Sequence, residues 1–434
     1  MTNDMKRTKK WYKLDNAATI YPSVRTRRWM AMFRLCAELN ETVDPAILET
    51  ALRHTLRRLP TFGVCVKKGL FWFYLEEVHG VPPIEQDVAN PCLPIDSKKS
   101  NGFLFRVRYY DKRIALEFFH VLADGTGGLV FLKTLVGEYL SIKHGIIIPY
   151  GNGVLDCGQK MTDREAEDSF LRHAGRVCMS RSEEDAYCIP GEDELGGFMN
   201  IITGTADTKA LLDAAHKYGV SLTHYITACM ICSISDIQKK ERFAAKRNRP
   251  VKICVPVNLR AMFDSDTVRN FASYVNPGTE SRYGEYTLKE TCNAVKCYMG
   301  LEASPQKMRA KFSGNVDAVR NPILKWTPLF IKIPVLRAVY RATGDVQTSA
   351  LMSNLGVVKL PEIMDQYINR FDFQVGPLFQ NRVMCAVISY KDKTYINFTR
   401  TLRSAETERG VFTRMVEDGV PITIESNLKE RSLY

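Results

Sequence analysis

The chain has 434 residues, 45% of them hydrophobic and 25% charged, and a formal net charge of +12. This composition is typical of a globular protein and excludes a disordered or a membrane-spanning chain. The length suits two lobes of roughly 200 residues each.

The first ten residues are basic and polar, and no apolar stretch follows them. We therefore expect no signal peptide and a cytoplasmic protein. The longest later apolar stretch, 322–340, is interrupted by prolines and basic residues, which argues against a transmembrane helix. Twelve cysteines without framework spacing indicate reduced thiols in the core. Cys229 and Cys232 lie in a helical pattern, so we predict no metal site there.

The positive charge favours acidic partners. The basic residues are spread thinly and form no nucleic-acid-binding signature, so we predict no nucleic-acid partner. A basic, solvated surface explains the same charge without any partner.

The first half of the chain contains several strand patterns and one capped helix. Asp44 and Pro45 predict the start of that helix, because a carboxylate caps free N–H groups and proline suits the first turn. Leu59 and Pro60 end it. The segment 11–23 is irregular. The predicted strands lie at 31–39, 63–66, 70–76, 103–110 and 114–119.

A loop at 120–125 follows the last of these strands and contains His120, Asp124 and Gly125. A helical pattern follows at 129–140. A neutral imidazole can take a proton from a hydroxyl, amine or thiol and return it later. The carboxylate can orient the ring, directly or through an arginine, and Gly125 allows a sharp turn. The alternative is a hydrogen-bonded histidine at a strand end, with Asp124 only capping the next helix.

The second half repeats the strand-and-helix order of the first. We predict an N-terminal lobe at 1–160, a crossover at 161–198 and a C-terminal lobe at 199–434. The C-terminal lobe is expected to contain a strand at 199–203 and helices from Asp207 and Ser221. A buried strand at 251–260 ends in Arg260. Ordinary core packing is the preferred interpretation of 307–344, and the alternatives are a tunnel wall and a basic amphipathic contact with a membrane surface.

The stretch 118–125, which includes this loop, resembles the H-H-x-x-x-D-G signature of the chloramphenicol-acetyltransferase-like superfamily. That superfamily includes alcohol acyltransferases, wax-ester synthases and the condensation domains of peptide synthetases. The first histidine is Phe119 here, and the second, which does the chemistry in that superfamily, is His120. The strand ending in Arg260 resembles the point where an arginine pairs with the motif's aspartate, here Asp124. The segment 269–276 resembles the strand that those families place after it. The run from Ser353 resembles the Ser-Asn-Leu-Gly strand of dihydrolipoyl acyltransferase cores.

Two further segments carry a weaker likeness. The opening, 11–23, is similar to that of bacterial alcohol-acetyltransferase-like proteins. Residues 372–377 have the outline of the D-F-G-W-G motif of plant-type members, without its tryptophan and middle glycine. That motif is structural rather than catalytic in the superfamily.

The resemblance implies an α+β fold (an α/β sandwich) of two similar lobes, each a mostly antiparallel mixed sheet with helices, and an active site at the lobe interface. It implies an acyltransferase that moves an acyl group from acyl-CoA to an alcohol or amine by direct attack, without a covalent intermediate. His120 would be the general base and Ser353 would support the oxyanion. Asp124 and Gly125 would shape the loop, and Arg260 would anchor Asp124.

No tightly bound cofactor and no metal are expected, and acyl-CoA is a co-substrate. The other partners expected are a small-molecule acceptor and, as an alternative donor, an acyl carrier protein. The protein is expected to be a monomer, and its contact with membranes to be peripheral at most. Two alternative functions stay open: an amide-forming condensation enzyme that uses carrier-protein thioesters, and a non-catalytic binding protein with the same fold.

Overall fold

The computed structural model of the protein describes residues 9–27, 29–179, 183–378 and 380–428. Within these residues the strands are β1 (Trp11–Lys13), β2 (Met32–Leu39), β3 (Val64–Lys68), β4 (Phe73–Glu77), β5 (Ile84–Gln86), β6 (Phe105–Tyr110), β7 (Arg113–Phe119), β8 (Asn200–Asp207), β9 (Pro250–Asn258), β10 (Ala272–Val275), β11 (Gly278–Glu280), β12 (Ala350–Val357), β13 (Ile368–Val375), β14 (Val383–Tyr390), β15 (Lys393–Arg400) and β16 (Ile422–Ser426).

The helices of the same residues are α1 (Tyr21–Val24), α2 (Pro45–Arg58), α3 (Gly125–His144), α4 (Asp163–Ala166), α5 (Ser169–His173), α6 (Thr208–Lys217), α7 (Leu222–Lys239), α8 (Ala244–Arg247), α9 (Arg260–Phe263), α10 (Leu288–Glu302), α11 (Pro305–Arg320), α12 (Pro322–Trp326), α13 (Leu329–Thr343), α14 (Glu362–Asp365) and α15 (Glu406–Glu417).

Two large sheets form the two lobes. The first sheet has the strand order β13-β2-β7-β6-β5, and the second has the order β10-β9-β12-β14-β15-β8-β16 with β11 paired to β9. Most neighbours are antiparallel; β5 with β6, and β12 with both β9 and β14, are parallel. A small sheet, β1-β4-β3, lies beside the first. The α+β architecture with mostly antiparallel mixed sheets is confirmed.

One strand passes between the lobes. The chain leaves β12 in the second sheet, adds β13 to the edge of the first, and returns to the second sheet as β14. In the first sheet Phe373 of β13 lies opposite Leu35 of β2. Although β13 falls within 199–434, it pairs with the first sheet, because its alternating apolar residues specify a strand but not its partner.

The helix boundaries follow from their capping residues. Asp44 accepts hydrogen bonds from the backbone N–H groups of Ala46 and Ile47 and starts α2, as predicted from the sequence. Asp124 caps α3 in the same way by accepting from Gly127. That helix therefore begins at Gly125, four residues before the predicted apolar pattern, because its first turn is made of small residues.

Only part of the stretch 307–344 packs into the core, although core packing was the preferred interpretation of the whole stretch. The helix α11 packs into the second core through Phe312 and Val316, but α12 and α13 expose Ile323, Trp326 and Phe330. Core packing is therefore wrong for α12 and α13. These helices are apolar on more than one face, and such a pattern does not say which face is covered.

The cysteines are divided between the core and the surface. Six of the twelve cysteines are buried, whereas Cys178, Cys188 and Cys297 are exposed and Cys254 is only half-buried, so the thiols are not all in the core.

Among the described residues, no single helix is long and apolar enough to cross a membrane. The helices α6 and α7, which are bent by 72° relative to each other, reach the length and apolar composition of a membrane span only when they are taken together.

Candidate functional site

His120 lies at the end of β7, in the turn that leads into α3. Its backbone N–H donates to the carbonyl oxygen of Ala31 over 2.9 Å. The imidazole lies between two aromatic rings: it stacks on Tyr21, with ring centroids 5.0 Å apart, and meets the edge of Phe33 at 5.4 Å. The side chain is half-buried. These contacts fix the plane of the ring while leaving part of it accessible.

The tautomer of this ring is set by Asn270, which lies just before β10. Nδ1 of His120 is 2.9 Å from Oδ1 of Asn270, and Nδ2 of Asn270 donates to Oδ2 of Asp15 over 3.1 Å. A carboxylate accepts and does not donate, so the amide nitrogen faces Asp15 and the amide oxygen faces the histidine. Nδ1 therefore carries the proton, and Nε2 is left as the basic nitrogen.

Asp15 is fully buried among hydrogen-bond donors. Its carboxylate accepts from the backbone N–H of Ala18 over 2.8 Å and lies 3.7 Å from the guanidinium of Arg269. Burial raises the pKa of Asp15, and the charge of Arg269 and the hydrogen bonds oppose that rise. Because these neighbours donate, they hold the carboxylate and, through it, the amide of Asn270 in one orientation.

A second carboxyl group, Asp168, adjoins this cluster. It accepts from the backbone N–H groups of Asn16 and Phe170 over 2.9 and 3.1 Å. Burial and the negative charge of Asp15 raise the pKa of Asp168 from 3.8 to about 6. A carboxyl whose folded-state pKa is raised stabilises the fold below its unfolded pKa, and this contribution is lost as the pH rises through about 6.

We expect Asp168→Asn to remove this pH dependence. As the pH rises from about 4 to about 7, the variant should gain about 1–2 kcal/mol in free energy of unfolding relative to the wild type, because the partly exposed group feels only part of the full effect. Urea unfolding at a series of pH values measures this difference. The exposed Asp163→Asn variant controls for the loss of one charge, and a wild-type-to-variant gap that is constant with pH would contradict the expectation.

Asp124 joins the histidine loop to the second lobe through Arg260. Nη1 of the guanidinium lies 2.9 Å from Oδ2 and Nη2 lies 3.0 Å from Oδ1. Oδ2 also accepts from the backbone N–H of Phe271 over 2.8 Å, and Oδ1 from that of Gly127 over 3.0 Å. This ion pair is the one that the family resemblance implied. Asp124 thus supports the loop through an arginine and caps α3 at the same time.

The charge state of Asp124 follows from these contacts. Burial alone would raise the pKa of Asp124. The charge of Arg260 and the hydrogen bonds from Arg260, Gly127 and Phe271 outweigh burial and hold the pKa below its ordinary value. The carboxylate is therefore ionised at neutral pH, and its contribution to stability is lost only as the pH falls through the lowered value.

The glycines after Asp124 allow the two lobes to approach closely. A Cβ on Gly127 would lie 2.0 Å from the backbone carbonyl oxygen of Val268, whereas a Cβ on Gly125 would meet the side-chain tip of Leu355 at 2.9 Å. Neither glycine has a positive φ. From the sequence, Gly125 was expected to allow a sharp backbone turn. In the structure, the glycines are needed because a side chain would collide with the second lobe, and the space is smaller at Gly127 than at Gly125.

We expect Gly127→Ala to destabilise the protein by at least about 1–3 kcal/mol, because the new methyl group meets a backbone atom that cannot rotate away. Chemical unfolding at neutral pH measures this change. Gly300→Ala in α10 is the matched control, since a Cβ there would meet nothing within 4 Å, and it should stabilise the helix by about 0.5–1 kcal/mol. Equal stability of the two variants would contradict the close approach of the lobes at Gly127.

Ser353 lies on the side of β12 that faces the first lobe. Its strand neighbour Met352 belongs to the second core, and successive strand residues face opposite sides. Its register partner on β14, Ala386, belongs to the first core, and Leu355 packs against that core. The side chain of Ser353 is half-buried. The serine thus lies on the sheet face from which Leu355 contacts the histidine loop.

The segment 372–377 has a structural role in the described fold. Asp372 pairs with Arg370 over 2.9 Å within β13, and the backbone N–H of Gly376 donates to the carbonyl oxygen of Met32 over 2.8 Å. A Cβ on Gly376 would lie 2.8 Å from that same oxygen. The contact between Gly376 and Met32 holds the end of β13 against β2, so the segment supports the strand that crosses between the lobes.

Two surface cavities of the protein include none of the predicted site residues. The first, of about 250 Å³, is lined by residues such as Leu93 and Arg106, and the second, of about 410 Å³, by residues such as Ile189 and Leu402. Within the part of the chain that the structure describes, no group of three or more His, Cys, Asp and Glu side chains is arranged to hold a metal ion.

Three residues of the site were not recognised from the sequence. Tyr21 and Asp15 lie in the segment 11–23, which has no periodicity to assign them a side. Asn270 lies in the segment predicted as a strand, and only its position in space shows that its amide faces His120. The one local signal was the density of polar residues, including Asn270, between Asp264 and the apolar residues of β10.

The comparisons with known proteins give matches to solved structures only. No family model matches the chain, and no curated protein matches its sequence. The structure of F. graminearum TRI101 complexed with ethyl coenzyme A is 13% identical, with a TM-score of 0.63, and the match covers 93% of this chain and 97% of that chain. TRI3 trichothecene 15-O-acetyltransferase from Fusarium sporotrichioides is 11% identical, with a TM-score of 0.59 and 96% of both chains covered.

A mutant of the starter condensation domain of rhizomide synthetase RzmA, in complex with C8-CoA and Leu-SNAC, is 14% identical, with a TM-score of 0.58 and 94% of both chains covered. Acetyltransferases and a condensation domain thus share one architecture with this chain over nearly its whole length. The fold that the family resemblance implied is therefore confirmed, and it is the fold of these acetyltransferases and of this condensation domain.

Proposed function

We propose that the protein is an acyltransferase that moves an acyl group from a coenzyme A thioester to the hydroxyl or amino group of a small acceptor. The observation that carries this proposal is the orientation of His120 by Asn270 and Asp15, which places the proton of the neutral ring on Nδ1 and the lone pair on Nε2 of a half-buried side chain. An imidazole nitrogen with a free lone pair is a suitable general base. The fold shared with acetyltransferases supports the same reaction class.

The reaction proceeds by direct attack. Nε2 of His120 takes the proton of the acceptor as its oxygen or nitrogen bonds to the thioester carbonyl carbon. The carbonyl oxygen becomes an oxyanion, which the hydroxyl of Ser353 or backbone N–H groups stabilise by hydrogen bonding. The carbon–sulfur bond then breaks, and the protonated imidazole returns the proton to the departing thiolate. Acylated acceptor and free coenzyme A leave, and no acyl group is attached to the protein.

The residues around the histidine have separate tasks in this mechanism. The amide oxygen of Asn270 keeps Nδ1 protonated and stabilises the imidazolium that forms in each cycle. The ion pair between Asp124 and Arg260 keeps the loop in place without donating or accepting a proton in the reaction. A coenzyme A donor and reduced cysteines suit the cytoplasm, where we place the protein.

The test is a thiol-release assay with the purified full-length protein. It is incubated with acyl-CoAs of increasing chain length and a panel of alcohols and amines, and free coenzyme A is followed with a thiol reagent while the product is identified by mass. We expect thiol release that depends on the acceptor. A burst of thiol release without an acceptor, equal to the protein concentration and accompanied by an acylated protein mass, would indicate a covalent intermediate and contradict direct attack.

The condensation-type alternative is supported by the similarity to the RzmA domain. Activity with carrier-protein thioesters and none with coenzyme A thioesters would favour it. Binding of coenzyme A without turnover of any thioester would favour the non-catalytic alternative.

A further inference from the structure

The helices α12 and α13 carry large apolar side chains that face solvent. Trp326 at the end of α12 is 63% exposed, and Phe330 and Val335 of α13 are 68% and 53% exposed. Leu70, in the turn between β3 and β4, lies beside them, because its carbonyl oxygen accepts from the backbone N–H of Leu329 over 2.9 Å. We use the name apolar ridge for six exposed residues, Leu70, Ile323, Trp326, Phe330, Ile331 and Val335.

The orientation of α13 is fixed with the apolar ridge outward. Lys332, on the inner side of the helix, is 4% exposed, and its ammonium donates to the carbonyl oxygen of Phe71 over 2.9 Å. The same ammonium lies 3.4 Å above the ring of Trp72. Rotating the helix to bury the ridge would break these contacts and leave a cation without them. The exposure of the ridge is therefore part of the folded state.

The charged residues of the segment that carries α12 and most of α13 are all basic. Between residues 318 and 341 the chain has no Asp or Glu and five basic residues, Arg320, Lys325, Lys332, Arg337 and Arg341. All of these except Lys332 are exposed. Helices that lie in a membrane interface combine these two features, because apolar side chains enter the headgroup–acyl boundary and basic ones attract anionic lipids.

We propose that the apolar ridge docks this protein onto an anionic lipid bilayer. A protein partner would be expected to find hydrogen-bonding groups in the contact, at about one per 100–200 Å². The side chains of the ridge offer one, the indole N–H of Trp326. Tryptophan also favours the level of the lipid headgroups. The composition of the ridge therefore fits a lipid surface better than a protein surface.

The apolar ridge is connected to the histidine through α1. The guanidinium Nε of Arg337 donates to the carbonyl oxygen of Ser23 over 2.7 Å, and Tyr21 of the same short helix stacks on His120. Docking would bring the site beside the lipid. If the proposed function holds, this position favours an acyl donor or acceptor that dissolves in the bilayer. The docking itself does not rest on that function.

The test is co-sedimentation of the full-length protein with vesicles, which requires no activity. We expect the protein to pellet with vesicles of equal parts phosphatidylcholine and phosphatidylglycerol, and much less with phosphatidylcholine alone or at high salt. The double variant Phe330→Glu/Val335→Glu should lower the bound fraction at least about tenfold. The matched control is Phe243→Glu/Val416→Glu, because Phe243, just before α8, and Val416, in α15, are 69% and 55% exposed and lie outside the ridge.

A second measurement needs no charged substitution. Brominated lipids should quench the tryptophan fluorescence of the wild type, and Trp326→Phe should lose most of that quenching. Failure of the wild type to pellet with either vesicle would overturn the proposal, as would equal loss of binding in both double variants. A wild type that stays in the supernatant as a dimer, and becomes a monomer in Phe330→Glu/Val335→Glu, would overturn it in favour of a second copy of this chain.

Discussion

His120→Ala is expected to lower turnover by about 10²–10⁴-fold, the usual contribution of a general base. The ring is half-buried, and its one hydrogen-bonding partner among the described contacts is Asn270. The thermal unfolding temperature should therefore change little. The thiol-release assay at saturating acceptor measures turnover, and circular dichroism during heating measures the unfolding transition.

The matched control for this variant is His144→Ala. His144 is also half-buried, stacks on Tyr367 with centroids 4.5 Å apart, and bonds to Glu41 over 2.6 Å. It lies at the end of α3, at the other end of the helix from the loop. Its removal should leave turnover unchanged. Similar rates for His120→Ala and the wild type would refute the assignment of His120 as the base.

Arg260→Leu is expected to lower the free energy of unfolding by about 3–5 kcal/mol at neutral pH, because it leaves the buried carboxylate of Asp124 without its cation. The loss should shrink in acid. The pKa of Asp124 is held below its ordinary value in the wild type, so the pair stabilises the fold above that value and ceases to do so once Asp124 is protonated. Urea unfolding at neutral and acid pH measures both parts.

Two controls separate the ion pair from the loss of a side chain. The double variant Asp124→Asn/Arg260→Leu should recover part of the stability, because no buried charge is left unpaired. Arg53→Leu removes an exposed ion pair with Glu49 on α2, and should cost about 0.3–0.5 kcal/mol. If Arg53→Leu and Arg260→Leu cost the same, the pair with Asp124 does not hold the lobes together.

The parts of the site that the sequence predicts depend on short-range patterns. Asp124 could be placed because a carboxylate before a glycine-rich turn and a helix has few roles, and its pairing with Arg260 followed from the family resemblance. Asn270 could not be placed in this way. Its amide acts on His120 only after two segments 150 positions apart fold together, and nothing in the neighbouring residues marks that meeting.

In the fold, too, the features set by neighbouring residues could be predicted, and those set by distant residues could not. Caps such as Asp44 fix where helices begin, because the carboxylate bonds to N–H groups two and three residues away. The partner of β13 and the covered face of α13 depend on contacts with distant parts of the chain. Apolar periodicity specifies a strand or a helix, but it does not specify which neighbour covers it.

The path of β13 makes the two halves of this protein inseparable. A fragment ending near residue 160 would lack the strand that covers the edge of β2, and the bare edge of a sheet tends to pair with other chains. A fragment beginning near residue 199 would carry β13 with no sheet to receive it. We therefore expect each half to aggregate when produced alone, and the intact chain to unfold in one cooperative transition. Recombining halves from related proteins should succeed only when the crossing strand travels with its host sheet.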